Sequence, residues 1–126
     1  MSLTHNIASN IAYVISGIIA HYKKKPYYGN LLFFLAIVSC LYHLNYTFLF
    51  LDVIISISVL FYSLWITYNT PNKYYIKLLG IIFLIIMIIL IPLSGKYGEK
   101  QYNIIHPWAH IFGGLSTALV AYYGKT

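Results

Sequence analysis

The sequence predicts an all-α membrane protein, a bundle of about five transmembrane helices, and three observations predict it. Of its 126 residues 60% are hydrophobic and only 8% are charged. The mean hydropathy is +0.76. Apolar runs of roughly membrane-crossing length alternate with short polar turns. A soluble domain carries about a quarter of its residues as charged side chains, so a water-soluble globule is excluded. A bilayer crossing takes about 20 apolar residues, and residues 1–126 therefore hold five spans as one domain.

The first span covers about residues 7–21. Lys23, Lys24 and Lys25 follow it, whereas a secretory signal carries its positive charge before the apolar stretch. It is expected to be retained as a span. The second runs over about 28–43, and a short polar turn near Leu44 and Thr47 leads into the third, about 48–67. Asn69, Thr70, Pro71 and Asn72 break the chain. The fourth, about 76–93, contains residues 81–91 without a polar side chain and is expected to face lipid at the bundle's edge. A loop over 95–101 precedes the last span, about 103–123. Pro107 is expected near its start, where a missing N–H costs little.

The net charge of +6 comes from eight lysines against Asp52 and Glu99. The lysines sit in short turns, where they orient the chain in the membrane, and no nucleic-acid reading is needed. One set of turns holds Lys23, Lys24, Lys25, Lys73, Lys77 and Lys125; the other holds Lys96 and Lys100 beside Glu99. The positive-inside rule then puts the N-terminus outside or lumenal and the C-terminus in the cytosol. The single Cys40 lies in an apolar segment and reads as a small buried thiol.

Ionisable groups at membrane depth are costly and mark function by default. Asp52 stands in Phe50-Leu51-Asp52-Val53-Ile54; the competing reading is a residue capping a helix at the interface. His106 and His110, spaced i, i+4, project from one helical face and can share a metal ion. His43 at the end of the second span is a third candidate ligand, with Ser39 one turn earlier on the same face. Three neutral imidazoles with a fourth position open to water form a common catalytic zinc site. At 1.5 Å per residue His43 lies about 27 Å beyond Lys25, and His106 and His110 lie roughly 6 and 12 Å in from Tyr102. With Asp52 at the start of the third span, all four converge in the outer leaflet.

Small and polar residues are segregated by helix: Asn6, Asn10, Tyr13 and Gly17 on the first span, Asp52 and Ser56 on the third, and His106, His110, Gly113 or Gly114 and Thr117 on the last. Such stripes let helices approach closely, and ordinary packing seams explain the Gly, Ser and Thr positions as well as a site does. Trp108 is expected to pack against a neighbouring helix. His5 and His21 are expected at the two interfaces.

Three short motifs carry a family resemblance. Asn6-Ile7-Ala8-Ser9-Asn10 resembles the Asn-x-x-Ser-Asn opening of the first span of alkaline ceramidases. Ser39-Cys40-Leu41-Tyr42-His43, followed by Asp52, resembles their Ser-x-x-x-His and subsequent Asp. His106-Pro107-Trp108-Ala109-His110 resembles their closing His-x-x-x-His helix. The wider superfamily joins them to adiponectin-receptor-like, Per1-type and TMEM8-like proteins. The resemblance implies zinc on His43, His106 and His110, with Asp52 and Ser39 as catalytic groups beside the reacting water and carbonyl. It also implies a lipid substrate such as ceramide, and the endoplasmic reticulum or Golgi as location.

The family usually has seven spans, of which this chain keeps counterparts of the first three and last two. The acidic residues with which alkaline ceramidases bind calcium have no equivalents around Thr4, His5 and Asn6. The expected activity is zinc-dependent hydrolysis of a lipid amide or ester. Its alternative is a non-catalytic membrane protein that keeps the metal site for structure or assembly, and a homodimer could complete the bundle. Bis-histidine haem binding is disfavoured, because axial ligands approach from opposite sides and His106 and His110 share one face. A proton or ion relay is disfavoured because no polar groups continue the path across the membrane.

Overall fold

The computed structural model describes residues 2–71 and 73–125. Asn72, one of the four residues expected to break the chain, lies outside them. The elements are α1 (Ser2–Ala8), α2 (Ile11–Tyr22), α3 (Pro26–Leu44), a 3₁₀ turn (Tyr46–Phe48), α4 (Leu49–Asn69), α5 (Tyr74–Lys96) and α6 (Glu99–Tyr123). Among the described residues there is no strand. Four helical segments are long and apolar enough to cross a membrane: α3, α4 with its preceding turn, α5 and α6.

The expected first span is divided. At 12 residues, α2 is about 18 Å long, short of a hydrocarbon core of about 30 Å. The break falls at Ser9 and Asn10, whose side chains turn back on the backbone. Ser9 Oγ donates to the Asn6 carbonyl at 3.0 Å and Asn10 Nδ2 to the same carbonyl at 3.1 Å. Such local bonds compete with the helical ladder. The amides of Asn10, Ala12 and Tyr13 accordingly bond to carbonyls three residues back.

Two boundaries also differ from expectation. The helices α5 and α6 run into the expected loop over 95–101 and leave only Tyr97 and Gly98 between them, Gly98 making the turn at φ 92°. Because α6 starts at Glu99, Pro107 lies about two turns inside it, not near its start. The Asn103 carbonyl thereby loses its helical donor.

The helix α6 is the centre of the bundle. It packs on α2 and α5 and lightly on α1 and α4; α2 also packs on α3, and α3 on α4. The closest seam is α2 on α6, where a Cβ added at Gly114 would collide with Ala12. Ser16 Oγ donates to the Gly114 carbonyl at 2.9 Å, and Thr117 Oγ1 donates to Ser16 Oγ at 3.0 Å. Between α3 and α4, Tyr28 and Ser63 share a buried hydroxyl pair at 2.7 Å, next to the fully buried Leu32 and Ile66. At the lysine-rich end Lys25 Nζ donates to the Ala121 carbonyl of α6 at 2.9 Å.

The α5 helix lies at the edge, and Ser94 is its one buried residue. The order of packing is thus an arc, α5, α6, α2, α3, α4. Its two outer members do not pack along each other, which leaves one side of the bundle open.

Candidate metal centre

Local sequence places each group. Asn45 ends α3 in extended backbone, and its side-chain oxygen accepts from the backbone N and the hydroxyl of Thr47, both at 3.0 Å. The chain doubles back there, so His43 in the last turn of α3 and Asp52 in the first turn of α4 share one end of the bundle. The connection Tyr97-Gly98 returns the chain at that same end, and α6 delivers His106 and His110 from one face.

His43, His106 and His110 come together. The His106 and His110 rings are 4.7 Å apart between centroids, and His43 lies 5.1 Å from the first and 5.3 Å from the second. One ring nitrogen from each lies within 4.8 Å of the other two. Nitrogens about 2 Å from one ion at tetrahedral angles are roughly 3.3 Å apart, so a bound ion would draw the three rings together.

Hydrogen bonds bear on which nitrogens are available. Ser9 Oγ donates its one proton to the Asn6 carbonyl and lies 2.7 Å from His110 Nδ1. With the hydroxyl proton on the Asn6 carbonyl, the Ser9 oxygen accepts from Nδ1, and Nε2 keeps its lone pair. Ser94 repeats the device on His106: its Oγ donates to the Ile91 carbonyl at 2.6 Å and lies 3.2 Å from His106 Nδ1. Among the described residues His43 Nε2 is buried without a hydrogen-bond partner, as is Asp52 Oδ1. Buried polar atoms ordinarily find partners. Three imidazoles, two of them in contact with an outer serine, suit a transition-metal ion.

A cavity of about 380 Å³ adjoins the cluster and is lined by Ser39, Asp52, Ser56, His106 and His110 among others. Its apolar walls come from α4 and α5, including Val53, Ile57, Leu84 and Ile91, and it lies along the open side of the bundle. Ser39 stands next to the Asp52 carboxyl. Asp52 is absent from the set of mutually close ligand atoms formed by the three histidines. It faces the cavity and does not complete the ligand set.

Sequence reasoning missed Ser94, Tyr102 and Asn103. Tyr102 stacks on His106 at 4.4 Å between centroids and lines the cavity; Asn103 Oδ1 accepts from Asn6 Nδ2 at 2.9 Å. Tyr102 is one turn before His106 on the same face, a signal available in the spacing. Ser94 is the first polar side chain after the long apolar run. Trp108, expected to pack against a helix, is instead 54% exposed and lines a groove between α6 and the α1–α2 break. Its position between the two histidines turns it away from their face.

Comparisons of the chain with protein-family models, curated proteins and solved structures find no match.

Proposed function

We propose that the chain is an integral membrane protein of five spans, the α1–α2 pair being the first, that hydrolyses a lipid amide or ester with zinc held by His43, His106 and His110. The observation that carries this reading is the set of three converging imidazoles beside a carboxylate with one buried oxygen unpartnered among the described residues, at the end of an apolar cavity on the bundle's open side. The distribution of lysines supports an outer or lumenal N-terminus and a cytosolic C-terminus.

Zinc bound there would lower the pKa of its water and polarise a carbonyl. Asp52 takes the proton of the attacking water and returns it to the leaving group. Ser39 donates a hydrogen bond to the reacting carbonyl oxygen. The walls of α4 and α5 hold the apolar chain of a substrate that enters sideways from the bilayer. Ceramide is the substrate, and the endoplasmic reticulum or Golgi the location, that the resemblance to alkaline ceramidases suggests.

One observation favours a second reading. The side between α4 and α5 is open, the resemblance implies that two of seven spans are missing between these two helices, and a reduced, non-catalytic member would keep the metal for structure, with a second copy closing the gap.

The test is metal content together with hydrolysis. Detergent-purified protein is expected to hold about one zinc per chain, lost on changing both His106→Ala and His110→Ala, and to release fatty acid from a lipid amide or ester. Zinc without hydrolysis across both bond types leaves the non-catalytic reading. Absence of zinc removes the centre altogether.

A further inference from the structure

At the end of the bundle away from the histidines, six lysines gather: Lys23, Lys24, Lys25, Lys73, Lys77 and Lys125. The chain's two acids, Asp52 and Glu99, belong to the opposite end. Lys25 Nζ is engaged on the Ala121 carbonyl, and Lys23 Nζ lies 3.9 Å from the centre of the Tyr122 ring; Lys73 Nζ lies farther, 4.8 Å, from that of Tyr123. A narrow crevice runs between the ends of α4 and α5, and both Lys73 and Lys77 line it. Its walls are apolar, with Leu64, Ile76, Ile81 and Leu119 among them. It meets the larger cavity at Ser63, Leu84 and Ser116. Lys73 also holds φ 64°, left-handed backbone where glycine or asparagine is at ease, so its charge is kept at a conformational cost.

We propose that this crevice is a binding site for an anionic phospholipid, with the phosphate between Lys73 and Lys77 and an acyl chain laid between α4 and α5. Charge complementarity selects the occupant. A zwitterionic lipid brings its own cation beside the two lysines, whereas an anionic one offsets one of their charges without adding a cation, and its chain lies along the apolar crevice between α4 and α5. Basic residues at a membrane surface attract anionic lipid with about 1 kcal/mol each. The site rests on the membrane reading and is independent of hydrolysis.

The experiment is a native mass-spectrometry titration of detergent-purified protein with dioleoyl phosphatidylglycerol and dioleoyl phosphatidylcholine. Phosphatidylglycerol is expected to bind more tightly. Lys73→Gln with Lys77→Gln should weaken it roughly 30-fold, the sum of the two lysine contributions. Lys23→Gln with Lys24→Gln, which removes the same charge from the same end, should weaken it by less than about threefold. Lys73→Arg with Lys77→Arg keeps the charge and should keep the binding, which guards against a folding defect in the glutamine pair. Equal affinity for the two lipids, or equal losses in the two glutamine pairs, overturns the site. Displacement by inorganic phosphate overturns the lipid as its source. Zinc content measured on the same samples separates this outcome from failure of the hydrolase reading.

Discussion

Ser9 and His110, 101 residues apart in the chain, are joined by a 2.7 Å contact between Oγ and Nδ1. The same Ser9 hydroxyl lies 3.0 Å from the Asn6 carbonyl, so a residue at the break between α1 and α2 is also an outer partner of His110. Ser9→Ala should leave the chain folded but free the imidazole to turn and to shift its proton. Loss of such an outer partner typically weakens metal binding about 10- to 100-fold. Competition with a zinc chelator measures it. Ser94→Ala should have a smaller effect, since its contact with His106 is longer, at 3.2 Å. Unchanged zinc affinity in Ser9→Ala would show that the contact does not position the ring.

Asp52 separates the catalytic from the structural reading. It lines the cavity beside His106 and His110, yet the group of mutually close ligand atoms consists of the three histidines. Asp52→Asn keeps the size and removes the base. Zinc content should be unchanged, while hydrolysis should fall about 100-fold or more, the usual contribution of a general base. Loss of zinc with loss of activity would make Asp52 a ligand.

The two features most readable in sequence were the apolar runs and the i, i+4 spacing of His106 and His110, because length and periodicity act locally. The convergence of His43 and Asp52 followed from counting rise along spans that start at known turns. The break at Ser9 and Asn10 was hidden because apolar residues continue on both sides of it, and the deciding bonds are side chain to backbone. The extensions of α5 and α6 were hidden for a related reason: polar residues at a membrane surface read as loop, although a helix satisfies their backbone just as well. Trp108 illustrates a third limit. In a membrane the outward and inward faces are both apolar, so hydrophobicity does not say which one a side chain takes.

The seam between α2 and α6 makes a packing prediction with its own control. A Cβ at Gly114 would run into the Ala12 side chain and backbone, and the neighbouring Ser16 and Thr117 bonds leave little freedom to shift. Gly114→Val should destabilise by about 1–3 kcal/mol, as overpacking does, and should also disturb zinc binding, because His110 lies one turn away. Gly95, where an added Cβ meets nothing, should accept alanine with no loss. Melting in detergent compares the two, and equal melting temperatures would contradict the tight seam.

Lys25 yields a prediction about pH. It is 8% exposed, and its Nζ donates to the Ala121 carbonyl at the last turn of α6, where carbonyls lack helical partners. Burial, and secondarily the charge of Lys23, push its pKa below the ordinary 10.5. The folded chain therefore holds this proton less tightly than the unfolded chain does. As pH rises through the lowered value towards 10.5, the folded state sheds the proton first and gains stability; as pH falls back through it, that gain is lost. The neutral amine still donates to Ala121, so the bond survives the change. Lys25→Met has neither the titration nor the donor. Near neutral pH its melting temperature should stay close to that of the unaltered chain, because relief of a buried charge offsets an unsatisfied carbonyl. Approaching pH 10 the unaltered chain should become the more stable by about 1 kcal/mol, the worth of one hydrogen bond. A constant difference between the two across that range would mean that Lys25 titrates as an ordinary surface lysine.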